Sequence, residues 1–352
     1  MSQLNLLLLC SLVFCSASTM ASDINYQDLE VSAQLSSIVY CEDREGNQAE
    51  CSKDYTINGE PLSINWFTSS DIKSKHANTT DNSQVNNFYN QNSSFWRELD
   101  EATLNSSYTL NDSPQYDYFQ TLTIYDPTKN TVYIAFRGSD NLINWIGNIQ
   151  LSPTPFENDS STMVHFGFYH YLLSSLAAKT SDSNISLQDW LAQIEVKYKP
   201  NYVITGHSLG GAGAVLLGAK FIKTGLPADR IKLITYGQPA VGTWGFLSKY
   251  QSKITNYVRV ANIGNPDYMS AIMGDPVVSA TAILKYYQFG KVYNIAIDTN
   301  YSIYNKIPDY PESVKYPLSL HDSFNYTDFI MGCNILSETC SPQLRKTDIP
   351  HI

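Results

Sequence analysis

The sequence predicts an α/β fold: a mainly parallel central sheet flanked by helices. Short apolar runs that read as strands alternate with segments of helical periodicity from Leu122 onward. One such run, YVIT (202–205), feeds a glycine-rich turn and then a helical pattern. The chain has 352 residues, 43% of them hydrophobic, which suffices to bury a core around such a sheet.

The elements follow in order. TLTIYD and NTVYIAFRG read as two strands joined by the turn DPTKN. In 164–179, Phe168, Leu172 and Leu176 recur at helical spacing. The stretch 185–199 does the same with Leu187, Leu191 and Ile194, and Ser186 is placed to cap it. After YVIT comes a helix from Leu209 to about Ile222, then the strands IKLITYG (231–237) and NYVRVAN (256–262). Residues 58–120 are different: rich in Asn, Ser, Asp and Tyr with weak periodicity, they read as a long polar surface insertion rather than a domain.

The N-terminus carries an apolar run from Leu4 to Phe14 followed by small residues. It is too short to span a bilayer and fits a signal peptide over 1–21, leaving one domain over 22–352. No later segment reads as transmembrane. The expected location is therefore extracellular, or the lumen of the secretory–lysosomal pathway. Cysteine usage agrees: without the leader, Cys41, Cys51, Cys333 and Cys340 remain, disulfide candidates with three possible pairings. Sequons at Asn78, Asn92, Asn105, Asn111, Asn158, Asn184, Asn300 and Asn325 suit an exported glycoprotein. A net charge of −10 argues against nucleic acid as a partner and gives no attraction to anionic membranes. Any lipid contact must then be apolar. No metal or organic cofactor is implied, and a monomer is expected.

Chemistry concentrates at Gly206-His207-Ser208-Leu209-Gly210, a G-x-S-x-G between a strand and a helix. That context needs a sharp turn that lifts the serine above the sheet, with small residues on either side. The following helix aims its free N–H groups at Ser208, where they stabilise developing negative charge. Ser208 thus reads as a nucleophile, and the N–H of Leu209 as an oxyanion donor. His207 is a poor base, because an elbow sends adjacent side chains in different directions.

With VITGHSLGGA stand IVYC (38–41), VYIAFRGSDNLINWIGNI (132–149), VHFGF (164–168) and ITYGQPAVG (234–242). In these the chain resembles the fungal-type (class 3) triacylglycerol lipase family of the α/β-hydrolases, from Ser36 to Cys333. The resemblance implies an α/β-hydrolase fold with a short helical lid, and hydrolysis of lipid carboxylic esters at an interface by a Ser-Asp-His triad. It makes His321, in LSLHDSFNY, the base. His165 and His170 precede Ser208, His76 lies in the polar insertion and His351 at the chain end. The acid is expected shortly after the strand ending at Asn262. Ungapped matching puts Asn265 there, a loop two residues longer puts Asp267 there, and Asp275 comes next; Asp267 is the preferred reading. An amide at that position would leave the protein weakly active or a lipid-binding relative. The resemblance also makes Ser139 the second oxyanion donor and the following segment the lid, with Leu142, Trp145, Ile146 and Ile149 at i, i+3, i+4 and i+7. A phospholipase A1 or an esterase of soluble esters on the same scaffold is the alternative.

Overall fold

A computed structural model describes residues 23–40, 54–57, 60–68, 120–139, 153–180, 183–262, 274–280, 285–295, 320–337 and 339–340. In chain order the first half holds α1 (Tyr26–Ile38), β1 (Asp54–Ile57), β2 (Glu60–Ser63), β3 (Asn65–Thr68), β4 (Gln120–Asp126), β5 (Thr131–Phe136), β6 (Pro153–Phe156), β7 (Asp159–His165), α2 (Phe166–Ala177) and β8 (Lys179–Thr180). The second half holds α3 (Leu187–Tyr198), β9 (Asn201–His207), α4 (Leu209–Lys223), β10 (Ile231–Tyr236), α5 (Trp244–Tyr250), β11 (Tyr257–Asn262), α6 (Pro276–Ala280), β12 (Lys291–Ile295), α7 (Ser323–Gly332), β13 (Cys333–Asn334) and β14 (Thr339–Cys340).

Eight strands form one sheet in the order β12-β11-β10-β9-β5-β4-β3-β8. From β12 to β5 all neighbours are parallel; β4, β3 and β8 continue the sheet antiparallel. The parallel strands read as unbroken apolar runs because helices cover both faces, and every residue of β5, β10 and β11 is buried. One face packs on α2, α3, α4 and α5 through Phe168, Leu172, Leu191, Leu216 and Phe246. The other packs on α1 and α7 through Leu29, Leu35, Phe329 and Ile330. The α1 face also carries a buried ion pair, Lys232 Nζ to Asp28 Oδ2 at 2.8 Å.

Local signals explain the helices. An Asn25–Asp28 capping box starts α1. Ser186 caps α3 by accepting from the Asp189 N–H at 3.1 Å, as the sequence predicts. The three apolar positions of α2 are buried, as are Leu187 and Leu191 of α3, with Ile194 half-buried.

The predicted insertion begins later than expected. β2 and β3 occupy 60–63 and 65–68, β3 pairs with β4, and Ile64 and Phe67 are core residues. A four-residue strand between polar neighbours is too short to show alternation, so composition hid it. The remainder, 69–119, lies outside the described residues, as do the signal-peptide segment, Cys41, Cys51 and the lid positions Leu142, Trp145, Ile146 and Ile149. Cys333 is buried and disulfide-bonded, and Cys340 is its cross-strand partner in backbone register. Of the sequons among the described residues, Asn158 and Asn184 are exposed, whereas Asn325 is buried in α7. No helix among the described residues is long and apolar enough to cross a membrane.

The first turn of α4 lies directly on the end of β5. A methyl group at Gly210 would meet the Phe136 carbonyl oxygen at 2.1 Å, and one at Gly206 would meet the Gly210 carbonyl at 2.4 Å. Neither neighbour is a flexible side chain, so backbone must shift. Gly210→Ala is expected to lower unfolding free energy by about 1–3 kcal/mol. Gly218→Ala meets nothing closer than 3.8 Å in the same helix, and is expected to raise it by about 0.5–1 kcal/mol. Urea unfolding of both variants checks the contrast; equal effects would refute the contact.

Candidate active site

The site assembles where the parallel strands end. β9 stops at His207, α4 starts at Leu209, and Ser208 between them has φ 57° and ψ −129°. Such a conformation costs a non-glycine residue about 1–3 kcal/mol. It is held by the Ser208 N–H donating to the Tyr236 carbonyl at 3.0 Å and by the Gly211 N–H donating to the Ser208 carbonyl at 2.9 Å. The Ser208 hydroxyl is buried and has no hydrogen-bond partner. Beside it runs the exit from β5: a Cβ on Gly138 would lie 3.0 Å from Ser208 Cβ, and Ser139 follows. The Tyr171 hydroxyl fixes that exit, donating to the Arg137 carbonyl at 2.5 Å.

His321, on the loop before α7, is buried. Its Nδ1 donates to the Asp275 carboxylate, 2.7 Å from both oxygens. The Asp275 side chain is fully enclosed. Two further donors hold the carboxylate: the Val277 N–H at 2.9 Å and the Tyr326 hydroxyl at 2.6 Å. Burial, and next the charge on Asp275, push the Tyr326 phenol well above its ordinary pKa, so it remains a donor. Gly237, at φ 55°, leaves room for the pair; a Cβ there would meet Asp275 Oδ2 at 2.6 Å and the His321 ring at 3.0 Å. Asn262 ties both loops to β11. Its carbonyl accepts from the Asp275 N–H at 2.8 Å, and its amide donates to the Leu320 carbonyl at 3.0 Å. Like Ser208 Oγ, His321 Nε2 is buried without a partner.

Two other imidazoles are buried in the fold. The His207 ring is 4.4 Å from that of His321, and its Nδ1 meets the Tyr40 hydroxyl at 2.9 Å. Burial, then the neighbouring His321, holds His207 well below the usual imidazole pKa. His165 caps α2, accepting from the Phe168 N–H at 3.4 Å, and burial pulls it from 6.5 down to about 4.

The structure brings Ser139, Ser208 and Leu209 to the same strand ends and places His321 beside the elbow residue His207. It corrects the expected acid. The carboxylate on His321 is Asp275, which the sequence ranked behind Asp267; Asp267 and Asn265 lie outside the described residues. Nδ1 carries one proton, and both oxygens facing it belong to Asp275. Sequence reading missed Tyr326, Asn262 and Tyr40 as parts of the site. Only Asn262 left a local trace, as the polar end of an apolar strand.

A strained serine at a strand-to-helix turn, followed in chain order by an Asp–His pair on a mostly parallel sheet, defines an α/β-hydrolase. Residues 133–274 match the family model Lipase (class 3). The match contains Ser208 and ends one residue before Asp275. The chain is 34% identical over 142 residues to a lipase of Rhizomucor miehei, covering 38% of this chain and 36% of the relative. It is 30% identical over 171 residues to secreted mono- and diacylglycerol lipase A of Penicillium cyclopium, covering 48% and 52%. It is 31% identical over 120 residues to the chloroplastic phospholipase A1 PLIP1 of Arabidopsis thaliana, covering 33% and 17%. The chain thus spans from about a sixth to about half the length of these relatives.

The buried imidazoles set a pH dependence. Folding depresses the pKa of His165 from 6.5 to about 4, so below 6.5 the unfolded chain binds a proton that the folded chain refuses. Stability from this group is complete above pH 6.5 and is lost as pH falls toward 4; His207 acts in the same direction. His165→Asn is expected to flatten stability against pH in that window by up to about 1.4 kcal/mol per pH unit. Urea midpoints at pH 7, 5.5 and 4.5 check it; an unchanged slope would refute the buried neutral state.

Proposed function

We propose that this protein is a secreted serine hydrolase that cleaves carboxylic ester bonds of lipids. The observation that carries the reading is the pair of buried, unpartnered atoms, Ser208 Oγ and His321 Nε2, with His321 backed by Asp275. Ser208 Oγ attacks the ester carbonyl carbon while its proton passes to His321 Nε2. The carbonyl electron pair moves to oxygen, where the N–H groups of Leu209 and Ser139 hold it. As the tetrahedral centre collapses, the bond to the alcohol breaks and His321 returns the proton to the departing oxygen. Water then attacks the acyl-serine with His321 as base, releasing the carboxylic acid and restoring Ser208. Asp275 keeps the His321 proton on Nδ1 and stabilises the imidazolium that forms.

Glycerides are the proposed substrates, supported by the similarity to fungal lipases. The Arabidopsis relative favours phospholipids as the second reading. The apolar stripe of Leu142, Trp145, Ile146 and Ile149 serves as lid. Export is supported by the leader-like N-terminus, the similarity to a secreted fungal lipase and the bonded Cys333. We assign Cys340 as its partner. The protein acts as a monomer.

A serine-directed fluorophosphonate is expected to label the wild type and not Ser208→Ala, read by intact mass; an unlabelled wild type would sink the hydrolase reading. Turnover of tributyrin, a diacyl phosphatidylcholine and ethyl butyrate separates the substrate classes. A second prediction concerns the acid. Asp275→Asn should lower kcat by about 10⁴-fold, as loss of the orienting carboxylate does in serine triads. Asp267→Asn should leave kcat within severalfold, and the reverse outcome would restore Asp267.

A further inference from the structure

Among the described residues, four buried serine and histidine atoms have no hydrogen-bond partner: Ser208 Oγ, His321 Nε2, His207 Nε2 and His165 Nε2. The proposed reaction uses the first two. His207 packs against His321 and belongs to that pair. His165 is left over, and its tautomer follows from its contacts. Its Nδ1 accepts the Phe168 N–H and so carries a lone pair. Burial keeps the ring neutral, which leaves its single proton on Nε2. His165 therefore presents a buried N–H with no acceptor, a costly feature that folded proteins keep rarely and for a reason.

The position of the ring shows where that donor stands. The His165 N–H bonds the Val241 carbonyl at 2.9 Å, and Val164 bridges Gly242. Those partners end the segment 237–242 that leaves β10. It begins against His321 at Gly237, and Gln238 lies 2.8 Å from where a Cβ on Gly211 of α4 would be. On the other side α2, which His165 caps, holds the exit of β5 through Tyr171. His165 thus stands where two elements meet that also reach the site: the segment 237–242, which begins against His321, and α2, which holds the β5 exit beside Ser208. Phe168 stacks on the ring at 4.1 Å and Tyr286 tilts against it at 5.5 Å, fixing its plane without satisfying Nε2.

We infer that His165 Nε2–H is a specificity-determining donor to a neutral oxygen in the alcohol part of the substrate, outside the ester being cleaved. The inference rests on Ser208 and His321 being the reacting pair. A neutral donor between aromatic rings suits a hydroxyl or a second ester carbonyl. It offers no charge to offset the desolvation of a phosphate. The site thereby distinguishes a glyceride from a simple alkyl ester carrying the same acyl chain.

His165→Asn keeps an acceptor for the α2 cap and removes Nε2. The test measures kcat/KM for glyceryl 1-monobutyrate and for tributyrin, each divided by that for ethyl butyrate, in wild type and variant. At least one ratio is expected to fall about 3- to 10-fold, the worth of one neutral hydrogen bond. A fall with monobutyrate alone identifies the hydroxyl, and a fall with tributyrin the carbonyl. Unchanged ratios, or an equal loss on all three esters, overturn the inference. Should the variant not fold, histidine ¹⁵N spectra of Ser208→Ala titrated with 1-O-butylglycerol give the answer. The same titration with tributyrin covers the carbonyl; a shift at His165 Nε2 with Nδ1 unmoved for either probe supports the assignment, and no shift with both overturns it. An absence of phosphonate labelling at Ser208 in the wild type would mark failure of the hydrolase reading instead, and the spectra separate the two.

Discussion

The close passage of the first turn of α4 over the end of β5 sets the rest of this site. Because Gly206 and Gly210 present no side chain, the backbone of β9 reverses within one residue, and Ser208 takes the strained conformation. A looser turn would lower that strain and lose the direction of the hydroxyl. The strain is offset elsewhere, by parallel strands buried on both faces. The parallel register lines up their C-terminal ends, so Gly138, Ser208, Gly237 and Asn262 come together although they span more than a hundred positions of sequence.

Asn262 solves a different problem. The chain leaves β11 there and returns at Asp275, and the Asp275 N–H closes the loop on the Asn262 carbonyl. Lengthening such a loop costs only about 0.6 kcal/mol per doubling, so the position of the carboxylate depends on the closing bonds and not on loop length. Tyr326 adds a second tie: it accepts from the Asn262 N–H at 3.0 Å and donates to the carboxylate. A carboxylate so enclosed needs these donors, since burying an unsatisfied charge costs far more than each bond returns.

This is why the acid was not legible in the sequence while the nucleophile was. The elbow is a local device whose glycines must flank the serine at fixed spacing. The strands β4, β5, β9, β10 and β11, and the helices α2 and α3, were likewise readable from short-range periodicity. His321 followed from the family resemblance, with which chain order agrees. The acid depends on where a loop closes: ungapped spacing pointed to Asn265, and a loop longer by only two residues pointed to Asp267. Tyr326 and Tyr40 act across 51 and 167 positions of sequence, and nothing near them marks those partners. The short strand β3 escaped notice because one buried Phe67 makes no pattern.

The two neutral imidazoles complete the electrostatic picture. In the proposed reaction His321 becomes an imidazolium, and the His207 ring is 4.4 Å away. A proton on His207 would oppose that charge by about 4 kcal/mol at an effective dielectric constant near 20. Burial beside His321 keeps His207 uncharged, and the Tyr40 hydroxyl occupies its Nδ1. Asp275, 2.7 Å from Nδ1, is the carboxylate that faces the His321 ring among the described residues. The burial that encloses Ser208 and His321 is therefore the same feature that keeps the neighbouring histidines neutral.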